Sequence, residues 1–111
     1  MHIRTTLFIS VSLLISVLAA HAHPDAPFVQ TNIPVKMRDG VTLSADVWLP
    51  AAEGKFPVLV YRTPYSKSST SDGALVRKAV ARGYAVVVQD VRGRYASGGE
   101  YDAYRQEGKD G

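Results

Sequence analysis

The 111-residue sequence contains no cysteine, which excludes disulfide bonds, thiolate metal sites and a cysteine nucleophile within this chain. The chain also has little excess charge, because its 13 Lys and Arg residues and 10 Asp and Glu residues leave a formal net charge of only +3. No run of like charge stands out, so we expect no nucleic acid as a partner. Histidine is confined to His2, His21 and His23, and none of them is placed to serve as a general base.

Residues 1–22 resemble a secretory signal peptide. Arg4 supplies a positive charge, residues 7–20 are apolar apart from three serines, and residues 20–22 form an Ala-His-Ala cleavage site. The apolar stretch is shorter than the roughly 20 residues of a permanent membrane-spanning helix, although an uncleaved anchor stays an alternative. We therefore expect an exported protein, periplasmic or extracellular, with residues 23–111 as the mature chain and no stable membrane span after signal removal.

Residues 29–49 predict an antiparallel β-hairpin. Apolar and polar side chains alternate on both sides of an Arg-Asp-Gly turn at 38–40. An Asp-Gly pair between two alternating runs is a strong hairpin signal, because this pair accepts the positive φ angles of a tight turn.

The centre of the chain predicts a strand, a helix and a second strand. Residues 57–61 and 84–90 are nearly unbroken apolar runs rich in valine, a pattern typical of buried parallel strands covered on both faces. In open α/β sheets, ligands bind beyond the carboxyl ends of such strands. Chemistry is therefore expected in the loops 62–67 and 91–99.

The helix between these strands has recognisable ends. Ser71 or Asp72 is expected to cap its N terminus, and Gly83 follows its last turn, where a left-handed residue is common. An apolar face is expected to pack on the sheet, and its members are Leu75, Val76, Ala79 and Val80. Three cations are expected to face solvent and to favour the helix dipole: Arg77, Lys78 and Arg82.

The charged residues after the second parallel strand are interpreted as structural. Asp90 ends that strand and is expected to form an ion pair with Arg92 that anchors the loop. Ser97 is interpreted as a turn residue, because it lacks the G-x-S-x-G context of a nucleophile. No metal ion or other cofactor is predicted, since the acidic residues of the C-terminal stretch lack the spacing of a metal loop: Glu100, Asp102, Glu107 and Asp110.

Three motifs in order resemble the N-terminal part of the Xaa-Pro dipeptidyl-peptidase-like (cocaine esterase, CocE/NonD) serine hydrolases. They are IPVKMRDGVTLSADVW at 33–48, YRTPY at 61–65 and QDVRGRYASGGE at 89–100. Tyr95, after the Arg-Gly-Arg run, resembles the α-amino-acid ester hydrolase branch of this family. The resemblance implies the first part of an α/β-hydrolase fold, truncated before the nucleophile elbow. It also implies that the nucleophile, acid and histidine of the catalytic triad lie beyond Gly111.

The resemblance implies one catalytic residue in this chain, Tyr65. In the family, the tyrosine of the x-Pro-Tyr loop donates its hydroxyl to the oxyanion of acyl transfer, and Tyr65 matches that position. The full protein would then be a secreted serine hydrolase that cleaves a small-molecule ester or an Xaa-Pro peptide through an acyl-enzyme. The chain alone is expected to be inactive.

Two alternatives stay open. One is another α/β hydrolase, of the dienelactone-hydrolase or prolyl-oligopeptidase type. A His-Gly-Gly segment after the first parallel strand would favour that type, whereas this chain has Thr-Pro-Tyr there. The other is a small exported binding module with no chemistry. In the usual hydrolase strand order, the strand at 57–61 would lack one neighbour here, so we also expect an open sheet edge and an aggregated or partly unfolded fragment.

Overall fold

The structure, a computed structural model, describes residues 26–71 and 73–111. The elements in chain order are β1 (Phe28–Lys36), β2 (Thr42–Leu49), β3 (Val58–Thr63), α1 (Lys67–Ser71), α2 (Ala74–Ala81) and β4 (Ala85–Asp90). The predicted signal peptide and the candidate cap Asp72 lie outside the described residues. Within the described ranges, neither helix is long and apolar enough to cross a membrane.

The four strands form one mixed sheet in the order β1-β2-β4-β3. Strands β1 and β2 form an antiparallel hairpin, and β4 pairs antiparallel with β2 and parallel with β3. At the hairpin turn, Gly40 has a φ of +86° and its N–H donates to the Met37 carbonyl oxygen at 3.0 Å. The predicted α/β class, the hairpin and the parallel strand pair are therefore confirmed.

Helix α2 packs on the sheet through part of its predicted apolar face. The core there contains four buried valines and two partly buried neighbours: Val76, Val80, Val86, Val88, Trp48 and Ala79. The prediction that Leu75 belongs to this face is wrong, because its side chain is 79% exposed. Consecutive helical residues differ by about 100° in direction, so Leu75 points away from the sheet when Val76 points into it.

The N terminus of α2 differs from the prediction and its C terminus agrees with it. Gly73 is the N-cap, with no side-chain hydrogen bond, whereas Ser71 ends the unpredicted five-residue helix α1. The serines and threonine of that segment favour turns and caps over helix interiors, so sequence propensity does not indicate α1. Gly83 has a φ of +89° and donates its N–H to the Val80 carbonyl oxygen at 2.9 Å, as the left-handed position requires.

The prediction that the strand after Pro57 is buried is wrong for the described chain. The four apolar side chains of β3 from Val58 to Tyr61 are between 46% and 59% exposed. Strand β3 pairs only with β4 and forms one edge of the sheet, which confirms the expected open edge. Strand β4 lies between β2 and β3 and is buried, as predicted.

Strand β2 has buried side chains on both faces, although its alternation of apolar and polar residues suggests that one face is exposed to solvent. Ser44 and Asp46, at polar positions of the pattern, are both buried. Asp46 pairs with Val88 of β4 in the sheet register and therefore points to the side that carries the helices. A carboxylate is thus enclosed between the sheet and α1, next to the loop that leads into this helix.

Candidate active site

The two loops expected to carry chemistry meet at the carboxyl edge of the parallel strands. Thr63 at the end of β3 lies opposite Asp90 at the end of β4, and the Val91 N–H donates to the Thr63 carbonyl oxygen at 3.1 Å. Across the loops, the Arg94 Nε–H donates to the Pro64 carbonyl oxygen at 3.1 Å. The loops 62–67 and 91–99, in which chemistry is expected, therefore lie side by side.

Tyr65 lies in the loop between β3 and α1 and faces solvent. Its ring is 74% exposed, and no described residue forms a hydrogen bond with its hydroxyl. The backbone of the loop is held by a hydrogen bond, since the Tyr65 N–H donates to the Thr63 Oγ1 at 3.0 Å. The next residue, Ser66, has a φ of +81°. The loop thus presents a free phenol at the edge where ligands bind in this class of sheet.

The predicted ion pair between Asp90 and Arg92 is wrong. The buried Asp90 carboxylate instead accepts two backbone N–H groups, from Lys67 at 2.7 Å and from Ala96 at 3.2 Å. The side chain of Arg92 lies two residues further on and takes other partners. Asp90 therefore joins the two loops through hydrogen bonds rather than through charge pairing within its own loop.

Arg92 is held between two carboxylates. Its guanidinium donates to Asp39 at 2.7 and 3.2 Å, and to Asp110 through Nε at 3.0 Å and through a second, shorter bond. Hydrogen bonding from Arg92 lowers the pKa of Asp39, and the two carboxylates raise the pKa of Arg92. Asp110 is buried, although it lies in the polar C-terminal stretch of the sequence.

Ser97 is a structural residue, as predicted. Its Oγ accepts the Ser44 N–H at 2.8 Å and donates to the Asp90 carbonyl oxygen at 2.6 Å, and the side chain is buried. The hydroxyl proton and one lone pair of the Oγ are therefore engaged by backbone groups. No histidine lies among the described residues, and the Ser97 proton is already donated to a backbone carbonyl oxygen.

Sequence reasoning missed a buried polar cluster under the Tyr65 loop. The Lys67 Nζ lies 2.8 Å from the Asp46 Oδ1 and donates to the Asn32 Oδ1 at 2.8 Å. Asn32 also donates its backbone N–H to the Asp46 Oδ1 at 2.9 Å. Because lysine and aspartate are common on solvent faces, neither residue carries a local signal of burial, and the cluster forms only when α1 packs on β2.

A cavity near the hairpin turn and the acidic side chains of the described residues offer little chemistry. A cavity of about 450 Å³ lies between the hairpin turn and the C-terminal stretch, where Asp39, Arg92 and Asp110 line it. Arg92 and Asp110 already form an ion pair with each other, and no serine or threonine hydroxyl lines the cavity. Across the described ranges, no group of three or more acidic or histidine side chains could hold a metal ion.

The family model of the X-Pro dipeptidyl-peptidase (S15 family) matches residues 39–111, which include both loops and the whole parallel strand pair. The chain belongs to this family.

Relatives of this S15-family chain include enzymes named for ester and peptide hydrolysis. Cocaine esterase from Rhodococcus sp. (strain MB1 Bresler) is 47% identical over 79 residues, which cover 66% of this chain and 13% of that enzyme. The solved structure of an α-amino acid ester hydrolase matches with a TM-score of 0.63 and 28% identity, over 83% of this chain and 17% of that one. An aminopeptidase from a marine sediment Thaumarchaeota archaeon matches with a TM-score of 0.59 and 26% identity, over 84% and 17% of the two chains.

The S15-family chain thus spans a small share of the relatives it matches. Of the residues singled out from the sequence, Tyr65 has an exposed polar group at the carboxyl edge of the sheet, while Asp90 and Ser97 are enclosed and hydrogen-bonded. A phenol can donate one hydrogen bond to a developing anion and cannot by itself complete a hydrolysis. The described residues therefore offer a donor for a reaction whose other groups they do not contain.

Proposed function

We propose that this chain forms the amino-terminal part of the α/β-hydrolase domain of a secreted serine hydrolase that cleaves an ester or Xaa-Pro peptide bond. Its partner is then a small-molecule ester or peptide, and no nucleic acid is involved. Family membership supports hydrolysis of this general type. The observation that carries the proposal is the exposed phenol of Tyr65, directly after the carboxyl end of β3 in a loop tied to the neighbouring strand.

In such a reaction, the general base takes the serine proton as the serine oxygen bonds to the carbonyl carbon, and an electron pair moves to the carbonyl oxygen. The Tyr65 O–H donates a hydrogen bond to this oxyanion, and the bond strengthens as the negative charge develops. When the intermediate collapses, the C=O bond re-forms and the alcohol or amine leaves with a proton from the general acid. Tyr65 itself forms no covalent bond and transfers no proton.

The remaining catalytic groups are proposed to lie in the reading frame beyond Gly111. The sequence contains no G-x-S-x-G segment, and its histidines all precede residue 24. We expect a nucleophile elbow of that form downstream, and its absence from the complete reading frame would favour a binding module without chemistry. The chain alone is proposed to hydrolyse neither p-nitrophenyl esters nor dipeptidyl-proline substrates.

The test is Tyr65→Phe in the full-length protein, meaning the product of the complete reading frame that encodes this chain. The substitution keeps the ring and removes only the hydroxyl. We expect kcat to fall by roughly a hundredfold or more, the usual effect of losing one oxyanion donor. The melting temperature should change little, because the hydroxyl has no hydrogen-bond partner among the described residues.

Tyr104→Phe is the matched control, since Tyr104 is almost fully exposed and lies outside both loops. Its kcat should equal that of the unmodified enzyme. If Tyr65→Phe keeps kcat within about twofold, Tyr65 is not the oxyanion donor.

Export is part of the proposal and has its own measurement. Cleavage after Ala22 should leave His23 as the first residue of the exported protein, which intact-mass analysis can read directly. A mass that retains residues 1–22 would instead indicate an uncleaved anchor.

A further inference from the structure

Lys67 follows Tyr65 by two residues and is anchored at both its side chain and its backbone. The side chains of Lys67 and Asp46 are each only 5% exposed, and their charged atoms lie 2.8 Å apart. The backbone N–H of Lys67 donates to the Asp90 Oδ1 at 2.7 Å. Lys67 thus connects the Tyr65 loop to both β2 and β4, because Asp46 lies in β2 and Asp90 is the last residue of β4.

Arg94 holds the same loop from the other side. Its Nε–H donates to the carbonyl oxygen of Pro64, the residue before Tyr65. The guanidinium lies over the rings of Tyr95 and Tyr101, at 5.3 and 5.1 Å from their centroids, and this stacking fixes its direction. The peptide segment that carries the phenol is therefore held one residue before and two residues after Tyr65.

The backbone between these anchors adopts a conformation that serine rarely takes. Ser66 has a φ of +81°, in the left-handed region that favours glycine. Such a conformation persists only where the surroundings over-determine it. The surroundings here include the contacts of Lys67 and Arg94 on either side, and the Ser69 Oγ, which donates to the carbonyl oxygens of Tyr65 and Ser66. Because Tyr65 is 74% exposed among the described residues, its packing within this part of the protein contributes little to where the hydroxyl lies.

We propose that Lys67, paired with Asp46, and Arg94 are positioning residues that hold the Tyr65 hydroxyl where an oxyanion forms. This inference rests on the proposed role of Tyr65. Neither cation touches reacting atoms; each acts through the backbone of the loop. A buried ion pair is weak evidence for stability, since apolar or neutral groups of similar volume often replace it at little cost, whereas a shift of about 1 Å in a catalytic group can cost a hundredfold in rate.

The experiment is a double-mutant cycle in the full-length protein. Asp46→Asn with Lys67→Met removes both charges, so no unpaired buried charge is created, and the Asn carbonyl can still accept the Asn32 N–H. We expect kcat to fall tenfold to a hundredfold with KM within about threefold. In the Tyr65→Phe background the same pair of substitutions should change kcat by less than twofold, because there is no hydroxyl left to misplace.

Two further variants complete the design. Arg94→Met keeps the aliphatic stem and removes the donor to Pro64, and we expect a fall in kcat of about tenfold with the same loss of effect in the Tyr65→Phe background. Lys78→Met removes an exposed lysine of α2 and is the control for loss of a positive charge. Its kcat should be unchanged in both backgrounds.

The outcomes separate this inference from the proposal on which it rests. Equal losses of kcat in both backgrounds would mean that the anchors act on the fold in general, and would overturn the inference. Full activity of the anchor variants beside a slow Tyr65→Phe enzyme would also overturn it, while leaving the oxyanion role intact. If Tyr65→Phe itself is fully active, Tyr65 is not the oxyanion donor, and this inference fails together with that role. Should the pair variant show no thermal transition, Arg94→Met decides alone by the same criteria, since Arg94 is only half-buried.

Discussion

Replacing Ser97 by alanine should loosen one strand end without affecting catalysis. The Ser97 Oγ is the acceptor for the buried Ser44 N–H and the donor to the Asp90 carbonyl oxygen. Ser44 lies just beyond the paired region of β2 and β4, which begins at Ala45, so the hydroxyl takes the place of a strand partner. Ser97→Ala therefore leaves a buried donor and a buried acceptor without this partner.

The magnitude follows from the cost of an unmet buried hydrogen bond. A buried polar group left unsatisfied costs about 1–3 kcal/mol. Taking about 2 kcal/mol for the Ser44 N–H, at roughly 1.4 kcal/mol per factor of ten, its hydrogen exchange should become about 30-fold faster. Native-state exchange on the full-length protein, read by mass spectrometry over residues 42–46, measures this locally. The kcat for ester hydrolysis should stay within twofold.

A neighbouring serine provides the control. The Ser44 Oγ is buried and has no hydrogen-bond partner in the described part of the chain. Ser44→Ala should therefore leave exchange of the amide at position 44 unchanged or slower, after correction for its intrinsic rate. The reasoning is refuted if Ser97→Ala leaves that exchange unchanged, and the structural role of Ser97 is refuted if the variant abolishes turnover while exchange is unaffected.

Two further predictions concern the isolated chain and the pH dependence of stability. Expressed alone, residues 23–111 should elute as aggregates in size exclusion, because β3 exposes an apolar open edge. Val60→Lys should reduce this association. A monomer with a cooperative thermal transition would contradict the prediction of aggregation. Because the hydrogen bond from Arg92 lowers the pKa of Asp39 in the folded state, the stabilisation should be complete above the ordinary pKa of about 3.9 and lost as pH falls through the lowered value. Asp39→Asn should thus lower the melting temperature of the full-length protein at pH 7, and the difference should disappear in strong acid; an equal difference at both pH values would show that charge is not its cause.

The features that the sequence determined by itself are those set by neighbours along the chain. The period-two alternation and the Asp-Gly pair specify the hairpin, and the valine-rich runs specify two parallel strands, because both signals depend on residues a few positions apart. Gly83 marks the end of α2 for the same reason, since its left-handed backbone is a local requirement. The position of Tyr65 after a strand end also follows from order along the chain.

Charge pairing and burial were decided only by the tertiary structure. Arg92 binds Asp39, 53 residues away, instead of the nearby Asp90, because sheet order brings the hairpin turn to this loop. Lys67 reaches Asp46 only because α1 packs on β2, and no pattern within either segment specifies that contact. The exposure of β3 depends on which elements cover its two faces and which strand lies beside it, and its own valine-rich sequence is the same whether or not they are present. Electrostatic partners and sheet neighbours are relations across long sequence separations, so they follow from the packed arrangement and not from local propensity.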